Sequence, residues 1–394
     1  MKRNCIFLLS VIFFFFSEGA VTQTPFVKEK RDYVWLTGYS SHPDFTIVGG
    51  TRIDFNFSPP QLSYEFRELD FDITNASICD PEGNLLFYTN GIEVHNAQGE
   101  KIENGGGLNP DPYTQQWADG GYNLMQGALI LPAPDDTTHF LLLHSEQTVI
   151  PEGGANDWLR IKKFYKSIIR KNESENGEDS LVIKNSVLIA DTLEYGKITA
   201  TRHANGRDWW ILQREFFSNR FHKLLVSPSG VFIENNQQVG QPFPSGLGQS
   251  VFSPDGNKYV NYITKNIAEG QFVNIYNFDR CTGALFDPTQ INYNDTAFAG
   301  GVAISPNSRF LYVSSFRYVY QYDLWAADIP SSRETIAVYD GFVDPPPLAT
   351  TFFLCQLAPD NKIYITASNT VRYLHVIHNP NAKGAACQIE QHGV

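Results

Sequence analysis

From Gly248 to Thr264 the chain reads GQSVFSPDGNKYVNYIT: an apolar run, a Ser-Pro-Asp-Gly turn, then a run in which tyrosine and β-branched residues alternate with polar ones. Period-two alternation on both sides of a turn predicts two antiparallel strands. The unit recurs as CDPEGNLLFYTNG from Cys79, PAPDDTTHFLLLHSE from Pro132, RHANGRDWWILQRE from Arg202, ISPNSRFLYVSSF from Ile304 and LAPDNKIYITASN from Leu357. Taking Glu82, Asp135, Asn205, Asp255, Asn307 and Asp360 as turn markers, the steps are 53, 70, 50, 52 and 53 residues. The long step holds IRKNESENGEDS, so a surface-loop insertion is expected at about residues 151–186.

Each copy continues into a third strand, such as FVNIYNFD (Phe272 to Asp279) or YVYQYDLW (Tyr318 to Trp325), and a less regular fourth completes it. Repeats of about 50 residues holding four short antiparallel strands match one blade of a β-propeller. Upstream, YVWLTG, TRIDFNF and QLSYEF (Tyr33 to Phe66) read as three more strands without a marker turn. They are expected to complete the final blade beside strands near the C-terminus, leaving no open sheet edge. The expectation is an all-β, seven-bladed propeller, with six blades as the alternative.

Composition agrees: 29 Phe and 19 Tyr, with Gly and Pro together at 52 (30 plus 22), favour strands and turns over helices. A formal charge of −12 argues against the concentrated basic face that nucleic acid requires, and no nucleic-acid partner is expected. The start, MKRNCIFLLSVIFFFFSEGA, reads as a secretory signal peptide over residues 1–20, followed by a flexible segment at 21–31 and one propeller domain over 32–394. The mature chain is therefore expected to be secreted or on the cell surface, without a membrane span, and a monomer. Cys79, Cys281, Cys355 and Cys387 show neither CxxC nor a zinc spacing, leaving unpaired thiols and a single bridge both open.

The stretches GNLLFYTNGIEVHNAQGEKIENGGGL, HANGRDWWIL, FSPDGNKYV, NFDRCTGAL, LAPDNKIYI and HNPNAKGAACQIEQHGV resemble the β-propeller module of large secreted proteins of Bacteroidetes, relatives of the WD40 and YVTN propellers. The similarity runs from about Trp35 to Val394. It implies export and a cell-surface or extracellular propeller, of the kind found in multidomain proteins with type IX sorting domains. It brings no reaction with it.

No GxSxG, HExxH, P-loop or dinucleotide fingerprint is present. The candidates for acid-base chemistry are His203, Asp208 and Glu146; His203 and Asp208 equally suit a hydrogen-bonded turn. No cofactor is expected, calcium at Asp111 and Asp119 being the one metal considered. The long aromatic loops offer a binding face: Gln116, Trp117, Asp119, Tyr122, Glu146, Trp158, Arg214 and Phe217 combine stacking rings with orienting amides and charges. The leading expectation is a non-catalytic propeller binding a protein or glycan there, for adhesion or surface scaffolding. The alternative is a propeller enzyme of lactonase, lyase or glycosidase type acting near the central channel.

Overall fold

The structure, a computed structural model, describes residues 29–38, 49–151, 157–174, 177–266 and 269–394. The expected signal peptide lies outside them. Its strands form seven antiparallel sheets, numbered here as blades in chain order. Blade 1 is Val34–Thr37, Gly50–Asp54 and Gln61–Glu65; blade 2 is Ala76–Cys79, Leu85–Thr89 and Val94–Asn96. Blade 3 is Ala128–Pro132, His139–Pro151, Asp157–Arg170 and Ser180–Ile189. Blade 4 is Ala200–Arg202, Trp209–Arg214, Arg220–Ser227 and Gly230–Ile233, with Gln237–Gln238 also on its third strand. Blade 5 is Ser250–Phe252, Lys258–Asn266, Gly270–Asp279 and Ala284–Tyr293; blade 6 is Gly300–Ile304, Phe310–Ser315, Tyr318–Asp323 and Glu334–Val338. Blade 7 is Phe352–Leu357, Ile363–Ala367, His375–Ile377 and Ile389–Glu390. The seven-bladed propeller is thus the fold.

Alternation along each strand feeds two interfaces. In blade 3, Phe140 and Leu142 pack toward blade 2 while Leu141 and Leu143 pack toward blade 4. In blade 6, Leu311 and Val313 face blade 5 and Phe310 and Tyr312 face blade 7. Both faces of these sheets are therefore buried, which is why the strands read as nearly continuous apolar runs. The blade 1–blade 2 and blade 4–blade 5 interfaces are filled likewise. The last, of Ile53 and Phe55 with Ala358, Tyr364 and Val376, joins blade 7 back to blade 1 and closes the ring.

The N-terminal strands close the ring as a blade of their own; they do not complete blade 7, whose four strands all come from the C-terminal region. Strand parity explains their missing marker turn. Four strands return the chain to its starting direction, whereas the three of blade 1 invert it. Cys79 N accordingly donates to Arg31 O (2.8 Å) and Ser77 Oγ to Val34 O (2.9 Å), so Val34–Thr37 runs antiparallel to the first strand of blade 2. It has the direction of a second strand, and the turn that joins first to second strands has no place in this blade. Lys30 and Arg31 are held by the first marker turn, Lys30 N donating to Pro81 O. They do not belong to a loose segment.

Two further expectations are corrected. The extra residues of blade 3 are not one surface loop over 151–186; most of them lengthen its second and third strands to 13 and 14 residues. The residues DWLRIKKFYKSIIR alternate well enough to continue the ladder. Blade 2 has only three named strands, its fourth being a rudiment at Lys101 that bridges His95. The marker turns are Asx turns. Asn205, Asp255, Asn307 and Asp360 each accept the backbone N–H two residues on, while in the first two copies the neighbours Asp80 and Asp136 do so.

The innermost strands are tied across the channel by two glutamines. Gln126 exchanges two hydrogen bonds with the backbone of Ser250, 2.8 and 2.9 Å long, linking the entry to blade 3 with blade 5. Gln249 accepts from Val302 N (3.0 Å) and Cys355 N (3.2 Å) and donates to Cys355 O (2.9 Å), linking blades 5, 6 and 7. Approach this close needs glycine. A Cβ at Gly301 would lie 2.9 Å from Cys355 N and strike the Gln249 amide oxygen.

Candidate functional site

Antiparallel blades sort their connections. First-to-second-strand turns lie on one face of the ring, and second-to-third-strand hairpins with the blade-to-blade connections lie on the other. The hairpin of blade 4, between Arg214 and Arg220, presents Phe216 and Phe217. Its backbone is fixed by Phe216 N donating to Thr192 O (2.9 Å) and Phe217 N to Ser245 Oγ (2.9 Å). The Lys265 ammonium sits 4.2 Å from the Phe217 ring and the Arg160 guanidinium 4.4 Å from Phe216.

Next to Lys265, Thr264 ties two connections to the end of the second strand of blade 5: its N–H donates to Leu247 O (2.8 Å) and its hydroxyl to Phe298 O (3.2 Å). Phe298 packs on Phe316, the tip of the blade 6 hairpin, with ring centroids 4.3 Å apart. Phe217, Leu247 and Phe298 are each 47% exposed, so an apolar strip arranged about Thr264 and Lys265 crosses blades 4, 5 and 6. Single exposed apolar residues are ordinary; a grouped set marks a contact surface. Phe217 and Phe316 also share left-handed backbone, φ 50° and 51°. For a bulky residue that conformation costs about 1–2 kcal/mol and is held only where the surroundings impose it.

Only part of the expected face is open. Gln116 and Asp119 are exposed, Phe217 is in the strip, and Trp117 is half-buried against Tyr113 and the blade 3–blade 4 core. Trp158 pairs with Ile150 at the start of the third strand of blade 3; its side chain lies outside the described residues. Tyr122 is buried, its hydroxyl oxygen accepting from Gln147 N (2.6 Å), and burial pushes its ionisation up. Glu146 is buried and takes bonds from Lys163 Nζ and Tyr165 Oη, both 2.9 Å. Arg214 is buried against Glu194 and donates to Ser218 O (2.7 Å), Phe243 O (3.0 Å) and Pro244 O (2.8 Å). Desolvation draws it down to about 9. These three side chains are engaged within the loops.

The candidate acid-base pair is occupied by its own turn. His203 Nδ1 accepts from Asn205 N (3.0 Å), and its Nε2 donates to Cys281 O (3.1 Å). Asp208 takes Arg207 Nε (2.7 Å) and Asn205 Nδ2 (2.8 Å); the bond from Arg207 holds its carboxyl below the ordinary range. Both lie on the marker-turn face, opposite the strip. Asp111 caps the turn Pro112–Gln115 through Tyr113 N (2.9 Å) and accepts from Thr148 Oγ1 (3.0 Å), so both of its oxygens are engaged. Among the described residues, the groups that converge as metal ligands are Asp191, Glu215 and His222, with donor atoms within 4.8 Å of one another. They share no local motif, because they meet only when residues 190–199 fold over the blade 4 hairpin.

No family model and no curated protein matches the chain. Solved structures are similar to it at low identity. A candidate 6-phosphogluconolactonase of Bacteroides uniformis is 12% identical with a TM-score of 0.49, over 87% of this chain and 91% of that one. The periplasmic gluconolactonase of Pseudomonas aeruginosa is 12% identical with a TM-score of 0.46, over 90% and 94%. The Dos1 propeller is 12% identical with a TM-score of 0.44, over 89% and 80%. At these identities and TM-scores the likeness carries no reaction or partner over to this chain.

Proposed function

We propose that the protein is an exported, non-catalytic propeller that binds a protein partner through the strip on its hairpin face. The observation that carries this reading is the phenylalanine pair Phe217 and Phe316, set in the same strained conformation on equivalent hairpins, with Phe298, Leu247 and Lys265 between them. Exposed phenylalanine and leucine side chains suit the apolar side chains of a polypeptide. Lys265 adds a site for a carboxylate. The engagement of His203, Asp208 and Glu146 in turn and loop networks supports the same reading, since a general acid or base must keep a free atom for its substrate.

The test is selection of a phage-displayed peptide library on the purified protein, with a glycan array in parallel. The reading expects apolar peptides carrying an acidic residue, binding at least tenfold more weakly to Phe217→Ser/Phe298→Ser and unchanged to Arg207→Ala on the opposite face. Glycan binding that survives the double substitution, or turnover of a lactone or uronate substrate lost in Glu146→Gln, would overturn it.

A further inference from the structure

His222 lies in the third strand of blade 4, paired with Gln213, and only 7% of it is exposed. Its Nε2 atom is buried and makes no hydrogen bond. That atom points between two carboxylates: Glu215 Oε1 at 3.4 Å and Asp191 Oδ2 at 3.7 Å. Glu215 begins the blade 4 hairpin, and Asp191 is exposed on the connection from blade 3. Donors on a tetrahedral ion with bonds of about 2.1 Å sit about 3.4 Å apart; His222 meets Glu215 at that distance, and the three donor atoms lie within 4.8 Å of one another.

We propose that Asp191, Glu215 and His222 bind a first-row divalent transition cation such as Zn²⁺, which fastens the blade 3–blade 4 connection to the hairpin. The imidazole selects such ions over Ca²⁺ and Mg²⁺, which take oxygen ligands. Arg220 Nη1 lies 2.9 Å from the same Glu215 oxygen and competes for it; its side chain is 44% exposed and free to swing away. Asn236 flanks the ring and brings no charge. The site stands on its own geometry and does not depend on the binding role proposed for the strip.

The test is calorimetric titration of the untagged, chelator-treated protein with ZnCl₂, supported by the absorption spectrum of the Co²⁺ form. One tight equivalent is expected, with the visible bands of a low-coordinate Co²⁺ site. Asp191→Asn, a surface change that leaves the core intact, should weaken binding at least tenfold; His222→Gln should abolish the tight site; Arg220→Gln should bind at least as tightly as the parent. Absence of a stoichiometric site, parental affinity in both Asp191→Asn and His222→Gln, or equal affinity for Ca²⁺ and Zn²⁺ would overturn the assignment.

Discussion

Trp35 of the first blade meets Tyr364 of the last edge-on, with ring centroids 6.0 Å apart and Phe55 packed against both. Among the described residues no strand is shared across this junction, and side-chain packing joins blade 7 to blade 1. Phe55→Ala should therefore cost about 3 kcal/mol or more, the usual loss for a buried phenylalanine. In denaturant melts, Phe55→Ala and Tyr364→Ala should couple by at least about 0.5 kcal/mol. Strict additivity would mean that the ring is not closed through this contact.

Gln249→Ala should destabilise more than its size suggests. Removing the amide leaves Val302 N and Cys355 N without an acceptor in a buried setting, each orphan costing roughly 1–3 kcal/mol. A loss of about 2 kcal/mol or more is expected by chemical denaturation. A loss under about 0.5 kcal/mol would show that the inner strands hold their spacing without the clasp.

Stability should fall with acid well above the carboxylate range. His144 is wholly buried between Asn109 Oδ1 (2.8 Å) and Ser167 Oγ (2.9 Å), and desolvation lowers it to about 3; burial lowers His375 to about 4. The unfolded chain binds those protons near pH 6.5, so the stability due to the neutral rings is full above pH 6.5. It is lost as pH falls toward 3 and 4, at roughly 1.4 kcal/mol per unit for each ring. Unfolding free energies from pH 7 to 5 should show this slope, reduced in His144→Gln. A flat profile would contradict the neutral buried assignment.

The four described cysteines are all free thiols, and Cys281 alone is exposed. Burial raises Cys79 to about 11 and Cys355 to about 12, leaving little thiolate at neutral pH. Iodoacetamide on the native protein should label Cys281 and, among these four, no other; the rest should react only after unfolding. A linked pair found by peptide mapping would refute this.

Six of the seven blades were legible in the sequence because each marker turn is local: an Asx residue and its neighbours fix it without help from distant chain. The form of ring closure was not, since it depends on strand parity in a blade that has no marker. Among the site residues, Phe217 could be found as an aromatic at a hairpin tip. Arg214 and Glu146 read as ligand contacts because a charged residue beside an aromatic loop looks the same whether it faces solvent or ties a loop to Glu194 or Tyr165. Leu247, Phe298 and Phe316 went unnoticed, each lying in a different connection and joined only through Thr264 and the packing of Phe298 on Phe316.

The binding role is tested most directly by amide hydrogen exchange on the protein with and without a peptide selected from the displayed library. The account predicts slowed exchange in three segments, Glu215 to Asn219, Gly246 to Gly248 and the paired stretch Ala297 to Ala299 with Ser315 to Arg317, with the marker turns at Asn205, Asp255 and Asn307 unchanged. Protection confined to the marker-turn face, or a peptide that binds without slowing exchange at any of the three segments, would contradict it.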